Sequence, residues 1–225
     1  MTCTKNKIIG ELQEKSLHHF LKCYFEPNEA FHEVSVGTYV ADIYKDGNII
    51  EVQTGSFNKL RDKLEYYLKS GFSVRVVYPI AETKFLEVET INGKRYHKSP
   101  KRGTIYDSVK ELYKIKNYLK DPKITISLVL MDVLEERIET NDSRKGFYKV
   151  EAQPIKVNST VELNENYDYL LFLSGLGHEF TSSDLSKEKK IRKNIASLTM
   201  TILKSLGLIL VTKKEGRSYV YSRSR

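Results

Sequence analysis

Residues 39–54 carry the pattern that most limits how this chain can fold. The dipeptide Asp46-Gly47 stands between two runs rich in apolar and β-branched residues. Such a pair favours a two-residue β-turn, because both central residues of that turn need a positive φ. The chain is therefore predicted to form an antiparallel hairpin in which Ile43 lies opposite Ile50.

The same register places two carboxylates face to face, because Asp42 then lies opposite Glu51, with Gln53 on the same face. Like charges at such a position repel each other unless a cation or a shared proton neutralises them. A hard divalent metal such as Mg²⁺ would satisfy both groups, since it binds carboxylate oxygens, carbonyl oxygens and water. The alternative is an edge hairpin whose acidic side chains face solvent.

The predicted elements around this turn follow the order strand, strand, helix, strand. Residues 55–68 have helical spacing, with Leu60 and Leu64 on one face. Residues 72–78 are rich in β-branched and aromatic side chains, and Pro79 is predicted to end that strand.

In this order the sequence resembles the PD-(D/E)XK nuclease superfamily, the fold of many restriction enzymes and Holliday-junction resolvases, whose core is α-β-β-β-α-β. Asp42 matches the aspartate of the motif, and Glu51-Val52-Gln53 matches its (D/E)XK tripeptide, with glutamine where lysine is usual. Four segments also look like those of an uncharacterised prokaryotic family assigned to this fold. They are residues 10–19, 51–55, 77–80 and 99–103.

The resemblance implies a catalytic site that holds Mg²⁺ or Mn²⁺ and cleaves DNA. Asp42, Glu51 and the carbonyl of Val52 would be metal ligands, and Gln53 would orient the attacking water. A glutamine adds no positive charge, so the contribution that a lysine makes to charge stabilisation is missing at this position.

Two lysines of the following helix could supply that charge. Lys59 and Lys63 lie four residues apart, hence on one face near the start of the predicted helix. From there they would stabilise charge that develops on the phosphate. A solvated helix face explains the same spacing.

A first helix is predicted over residues 7–25, where apolar side chains recur at near-helical spacing. Resolvase-like relatives place a glutamate of this helix near the metal, which Glu11 or Glu14 would match, and Glu11 is expected to complete the metal shell. The alternative is a purely structural role, in which Glu11 and Lys15 make an i,i+4 ion pair in the favoured order. His19 lies on the same stripe, and it is either a site residue or an ordinary surface histidine.

The last quarter of the chain has a pattern of its own. A short buried helix is predicted over residues 167–173, capping residues over 181–186, and a long amphipathic helix over 188–206 that Gly207 ends. Two short apolar strands follow, joined by a basic turn over residues 213–217. This order resembles winged helix-turn-helix DNA-binding domains, in which the third helix enters the major groove.

Positive charge is concentrated in this region. Residues 165–225 contain 11 Lys and Arg against 6 Asp and Glu, a net of +5 out of +8 for the whole chain. By analogy with winged helices, some of these side chains would contact DNA and others its phosphates. Because winged helices also bind proteins, a protein partner is the alternative. The predicted contacts are Lys189, Lys190, Arg192, Lys193 and Asn194 on the helix, and Lys213, Lys214 and Arg217 on the wing.

These patterns predict a two-domain α/β protein, with a restriction-endonuclease-like mixed sheet flanked by helices and a small winged helix-turn-helix domain. The predicted boundaries are residues 1–140 for the nuclease-like domain, 141–163 for a linker and 164–225 for the winged helix. Residues 94–102 are predicted to form a basic loop that faces substrate or merely connects two elements.

Composition agrees with a globular protein. Hydrophobic residues make up 40% of the 225, which suffices for a packed core. No apolar run approaches the roughly 20 residues that span a bilayer. Cys3 and Cys23 are too few for a disulfide framework, and residues 1–7 lack the apolar region of a signal peptide. We therefore expect a cytoplasmic protein with no membrane partner, and a homodimer is compatible with the sequence.

The function predicted from the sequence is metal-dependent endonucleolytic cleavage of DNA. The alternative is a DNA-binding regulator or adaptor whose nuclease fold has lost its chemistry, as the departure at Gln53 would allow. A protein-interaction platform that binds no nucleic acid agrees less well with the distribution of positive charge.

Overall fold

The computed structural model of the chain describes residues 16–140 and 146–224. The chain divides into two compact units. The first unit takes in the chain up to Thr54 together with Val77–Thr104 and Val129–Thr160, and the second takes in Gly55–Val76, Ile105–Leu128 and the chain from Val161.

The described residues form five α-helices, three 3-10 helices and ten strands. None of these helices is long and apolar enough to cross a membrane. The α-helices are α1 (Ser16–Phe25), α2 (Leu60–Lys69), α3 (Val109–Lys114), α4 (Ser182–Glu188) and α5 (Lys193–Ser205), and the 3-10 helices are Glu29–Phe31, Ile105–Ser108 and Asn166–Leu173. The strands are β1 (His32–Val36), β2 (Tyr39–Lys45), β3 (Asn48–Val52), β4 (Ser73–Thr90), β5 (Gly93–Lys98), β6 (Ile124–Glu139), β7 (Phe147–Leu163), β8 (Glu179–Thr181), β9 (Ile209–Glu215) and β10 (Ser218–Arg223).

The predicted hairpin between β2 and β3 is confirmed. The two strands pair antiparallel, with Ile43 opposite Ile50. Asp46 and Gly47 form the turn with φ angles of 50° and 78°, the left-handed region that a two-residue hairpin turn requires. The Asn48 side chain donates a hydrogen bond to the Asp46 carbonyl at 3.1 Å, which further restricts the turn.

A large mixed sheet carries the hairpin, in the strand order β1-β2-β3-β4-β6-β7, with β5 paired to β4. In the first unit, α1 packs on this sheet because its apolar residues recur at helical spacing. Leu21 of α1 lies in one buried cluster with Val52, Val77 and Val129, and Leu17 packs against its edge. The elements follow one another as α1-β1-β2-β3-α2-β4. The predicted order strand, strand, helix, strand corresponds to β2-β3-α2-β4, whereas β1 was not predicted from the residues.

The prediction that Pro79 ends a strand is wrong, because β4 continues through it as far as Thr90. Proline removes one donor from a hydrogen-bond ladder, but its backbone remains compatible with an extended chain. Pro79 lies just beyond Val77, whose carbonyl accepts the Gln53 amide at 2.8 Å at the end of β3. Because β3 ends at this point, β4 makes no further ladder hydrogen bond to β3 at Pro79.

The basic segment predicted as a loop over residues 94–102 begins as a strand. β5 pairs antiparallel with β4, with Thr90 opposite Gly93 and Phe85 opposite Lys98. The turn between the two strands consists of Ile91 and Asn92. Both residues precede the segment that was predicted as a loop. Only the last residues of the segment lie outside a strand.

The predicted linker over residues 141–163 is wrong for its described part, because Phe147–Leu163 form the long strand β7 beside β6. The predicted boundary between two domains does not follow the compact units either. The second unit joins the chain from Val161 to residues 55–76 and 105–128.

Contacts inside the second unit explain why the C-terminal residues belong with the middle of the chain. Arg75 donates hydrogen bonds to Glu162 at 2.6 Å and to Ser127 at 2.7 Å. The Tyr106 hydroxyl donates to the carbonyl of Phe172 at 2.9 Å, and the two rings meet edge to face. Burial raises the pKa of Tyr106 to about 12, so this hydroxyl remains a donor at neutral pH.

The C-terminal elements form a three-stranded sheet in the order β8-β10-β9, accompanied by α4 and α5. The predicted capping residues are confirmed for α4. Thr181 Oγ1 accepts the Asp184 amide at 3.2 Å, and the Asp184 carboxylate accepts the Thr181 amide at 2.8 Å, which is a capping box.

The long helix predicted over residues 188–206 is wrong at its start. α4 ends at Glu188 and α5 begins only at Lys193. Between them Lys190 has a φ of 53°, and Arg192 is extended, so the backbone leaves the helical conformation twice. The predicted end is confirmed, since Gly207 follows α5 with a φ of 77°.

Glu135 of β6 is a buried carboxylate of the first unit, only 3% exposed. Lys84 Nζ lies 2.9 Å from its Oε2, Arg137 Nε donates to its Oε1 at 2.7 Å, and Lys149 Nζ lies 3.5 Å away. Burial by itself would raise the pKa of Glu135. The hydrogen bonds from Lys84 and Arg137 and the charges of Lys84 and Lys149 outweigh burial and lower the pKa to about 2.

We expect Glu135→Gln to lower the free energy of unfolding by about 3 kcal/mol at neutral pH, because the lowered pKa is a stabilising interaction of the ionised form. This contribution is complete above the unfolded-state pKa, near 4.5, and is lost as the pH falls toward about 2. Urea denaturation at pH 7, 5 and 3 measures it. Glu139→Gln, at an exposed position of the same strand, is the control. A stability difference that does not shrink toward pH 3 would contradict this account.

Candidate active site on the β2–β3 hairpin

The Asp42 carboxylate reaches from β2 to the backbone of β3. Its Oδ2 accepts a hydrogen bond from the Val52 amide at 2.7 Å. From α1, His18 Nε2 lies 3.3 Å from the same oxygen. The side chains of His18 and Asp42 are 20% and 13% exposed, so the carboxylate is held in place while part of it remains open to solvent.

Glu51 follows Ile50 on β3, next to the Ile43 and Ile50 pair, and it is fully buried. Burial of an ionised carboxylate is costly unless a cation, a hydrogen bond or a proton compensates the charge. Among the described residues no buried side-chain nitrogen or oxygen lacks a hydrogen-bond partner, so Glu51 is compensated. Gln53 is half-buried just after it.

The potential ligand atoms at this site are all oxygens, the type that a hard divalent cation prefers. Two carboxylates and the Val52 carbonyl are oxygen ligands of the type that Mg²⁺ and Mn²⁺ bind. The hydrogen bond from the Val52 amide occupies Asp42 Oδ2 and orients the carboxylate, much as outer partners orient metal ligands. Within residues 16–140 and 146–224, however, Asp42 and Glu51 belong to no group of three acidic, histidine or cysteine ligands. The predicted third ligand, Glu11, and its alternative Glu14 lie outside the described residues.

The predicted lysines are found in the second unit. α2 begins at Leu60, so Lys59 occupies the N-cap position before the helix, where it is exposed. Lys63 lies inside α2 and is half-buried. The hairpin residues Asp42 and Glu51 belong to the first unit, and the role of both lysines stays a prediction.

His18, which the sequence reasoning did not assign to the site, is the histidine that contacts Asp42. His19 belongs to another cluster, in which potential ligand atoms of His19, Cys23 and Glu29 lie within 4.8 Å of one another. Within it, Cys23 Sγ lies 3.6 Å from His19 Nε2.

The cations predicted to contact DNA occupy different positions around α4 and α5. Lys189 and Lys190 lie in the irregular segment between the helices rather than on α5. Arg192 caps α5, and Lys193 and Asn194 open it with exposed side chains. The predicted contacts end at this first turn, although the exposed face continues at helical spacing. Its further members are Ser197, Thr201 and Lys204.

The hairpin of β9 and β10, which was predicted to be a wing, contains two lysines with different surroundings. Lys213 lies between two carboxylates, 3.4 Å from Glu179 and 3.0 Å from Glu215, so its charge is largely compensated. Lys214 has no carboxylate partner among the described residues, and its Nζ lies 5.8 Å from the centre of the Tyr219 ring. Arg217 is exposed at the turn.

Comparison with known proteins shows which family the chain belongs to. Residues 15–164 match the model of a family described as a domain of unknown function, DUF8091. The chain belongs to the DUF8091 family. Across 223 residues it is 26% identical to an uncharacterized protein of Treponema pallidum (strain Nichols), covering 96% of this chain and 87% of that protein. No solved structure matches it with significance.

The DUF8091 match contains Asp42, Glu51 and Gln53 but not Glu11, and it ends before the 3-10 helix at Asn166–Leu173. The C-terminal sheet with α4 and α5 therefore lies beyond the DUF8091 region of this chain. The relative from Treponema pallidum extends over both parts, since it covers nearly all of the sequence.

We expect Asp42→Asn to abolish Mn²⁺ binding while changing stability by less than about 1 kcal/mol, because the amide oxygen still accepts the Val52 amide but carries no charge. Isothermal titration of Mn²⁺ measures binding, and urea denaturation measures stability. Asp46→Asn in the turn is the matched control, since asparagine tolerates the positive φ there. Equal Mn²⁺ binding by the Asp42→Asn variant and the wild type would exclude Asp42 as a ligand.

Proposed function

We propose that this DUF8091 protein is a metal-dependent endonuclease that hydrolyses phosphodiester bonds in DNA, built on a PD-(D/E)XK-like core with a C-terminal winged helix. The observation that carries the proposal is the location of the motif residues. Asp42 lies on β2 and Glu51-Val52-Gln53 ends β3, inside the order α1-β1-β2-β3-α2-β4. In the confirmed register Ile43 lies opposite Ile50, and Asp42 and Glu51 are the residues next to that pair on the two strands.

Asp42, Glu51 and the Val52 carbonyl would hold the cation. When bound, Mg²⁺ or Mn²⁺ lowers the pKa of a coordinated water and screens the negative charge of the phosphate. Asp42 is held for this task from two sides, by the Val52 amide and by His18. Such fixed ligands need no rearrangement during the reaction, which favours electrostatic catalysis.

Gln53 would orient the attacking water through its side-chain amide, which can both donate and accept a hydrogen bond. It adds no positive charge to the site, unlike the lysine of the usual motif. His18 acts as a positioning residue through Asp42 in this account, since its ring contacts the carboxylate at 3.3 Å.

The C-terminal residues support a DNA-binding role by their arrangement. A 3-10 helix, β8, α4, α5, β9 and β10 follow one another in the order of a winged helix, with α5 as its third helix. The exposed face of α5 begins with Lys193 and Asn194 and continues with the short polar side chains of Ser197 and Thr201. Side chains of this kind contact phosphates and base edges in a major groove.

A second candidate function is DNA binding without cleavage. Two observations favour it: glutamine replaces the motif lysine, and Asp42 Oδ2 already interacts with Val52 and His18. One oxygen of Asp42 then remains for a metal. In this alternative the hairpin serves the fold, and the C-terminal winged helix carries the function.

The two functions separate in a cleavage assay. We expect Mn²⁺-dependent nicking of plasmid or branched DNA, and we expect Glu51→Gln to abolish it because the neutral amide is a far weaker ligand. Circular dichroism melts would show that the variant is folded, and Glu139→Gln serves as an active control. Retained nicking by folded Glu51→Gln would contradict the proposed site. DNA binding by the wild type without cleavage of duplex, single-stranded or junction DNA would favour the second function.

The wing provides a test of DNA binding by the C-terminal elements. Affinity for DNA falls with salt, with a log–log slope of about −0.9 per phosphate contact. Because carboxylates compensate Lys213 and not Lys214, we expect Lys214→Ala to flatten this slope and Lys213→Ala to leave it nearly unchanged. Fluorescence anisotropy on duplex DNA between about 50 and 200 mM salt measures the slope. A wild-type affinity that does not depend on salt would exclude phosphate contacts.

A further inference from the structure

The hairpin formed by the end of β4 and β5 carries positive charge that the proposed site and the winged helix leave unexplained. Residues 93–103 contain five Lys and Arg and no Asp or Glu. Every residue of β5 is exposed, and Ile91 in the turn is 95% exposed. We call residues 90–103 the basic hairpin, and its tip is open to solvent.

The five cations of the basic hairpin fall into two groups. Lys94 is ion-paired with Glu87, and Arg102 lies 3.1 Å from Glu82, so these two charges are compensated. The other three have no carboxylate partner in the part of the chain that the structure describes. They are Arg95, Lys98 and Lys101.

The end of the basic hairpin is held to β4 by its backbone. The Gly103 amide donates to the carbonyls of Ala81 and Glu82, both at 3.1 Å, and the Ser99 amide donates to the Lys84 carbonyl at 2.8 Å. A Cβ at position 103 would lie 2.3 Å from the Ala81 carbonyl oxygen, so only glycine permits this close approach. The uncompensated cations are therefore presented on an ordered backbone, which reduces the entropy lost on binding.

We propose that the basic hairpin is a second DNA-contacting surface, which binds the phosphate backbone of duplex DNA through Arg95, Lys98 and Lys101. The proposal rests on the proposed function and deepens it, because it assigns to the first unit a substrate contact of its own. Exposed lysine and arginine side chains without carboxylate partners are the groups that bind phosphates and release their counterions. Such contacts hold DNA without reading its sequence.

Protection of a sheet edge is the competing explanation. In the described residues β5 pairs with β4 alone, and lysines on an exposed edge strand prevent pairing with a second molecule. If this were the only role of the charge, its removal would promote association of the protein and would leave DNA contacts unchanged. The two explanations therefore differ in a measurable quantity.

The test compares two double variants of the full-length protein, each of which removes one lysine and one arginine from the basic hairpin. Arg95→Ala/Lys101→Ala removes uncompensated charges, and Lys94→Ala/Arg102→Ala removes compensated ones. Both lower the net charge equally. Fluorescence anisotropy on a duplex DNA between about 50 and 200 mM salt gives the slope of log affinity against log salt.

We expect the magnitude of the slope to fall by about 1.8 for Arg95→Ala/Lys101→Ala, which is two phosphate contacts, and to stay at the wild-type value for the control. Equal slopes for both variants and a wild type that binds DNA would overturn the basic hairpin as a DNA surface and leave the nuclease proposal intact. An unchanged slope with new oligomers on size-exclusion chromatography would assign the charge to edge protection. Absence of wild-type DNA binding would overturn both proposals.

Discussion

The hydrogen bond from the Val52 amide to the Asp42 carboxylate is the contact on which the candidate site depends. It joins β2 to the tripeptide at the end of β3. His18 reaches the same oxygen from α1, so helix and hairpin are tied to one acidic group. Glu51 is fully buried, and its surroundings compensate its side chain, since no buried side-chain oxygen among the described residues lacks a hydrogen-bond partner.

The division of the chain into units depends on three long strands. β4, β6 and β7 contain 18, 16 and 17 residues, against 7 and 5 residues in the hairpin strands β2 and β3. Each contributes residues to both compact units, so neither unit is a continuous stretch of chain. Inside the second unit, Arg75, Ser127 and Glu162 hydrogen-bond one another, and Tyr106 bonds to Phe172. The C-terminal residues are thus integrated with residues from the middle of the chain instead of following a linker.

The confirmed predictions rest on local chemistry, whereas two of the wrong ones concern strands that depend on distant partners. The turn at Asp46 and Gly47, the cap at Thr181 and the helix end at Gly207 each depend on a few neighbouring residues. The strand through Pro79 and the strand β7 were mistaken for ends and linkers, because their ladders are completed by residues far away in sequence. The break between α4 and α5 was missed because the apolar spacing continues through it.

The sequence by itself predicted the hairpin and its register at Ile43 and Ile50, because turn chemistry and the two-residue period of a strand favour that arrangement. Only the tertiary structure decided which of two adjacent histidines meets Asp42, since neighbouring helix residues point in different directions and packing selects one. It also decided that Lys213 is compensated while Lys214 is not, and that Arg95 and Lys101 lack the partners of Lys94 and Arg102. Charge is counted in a sequence, but its compensation depends on which side chains the fold brings within a few ångströms.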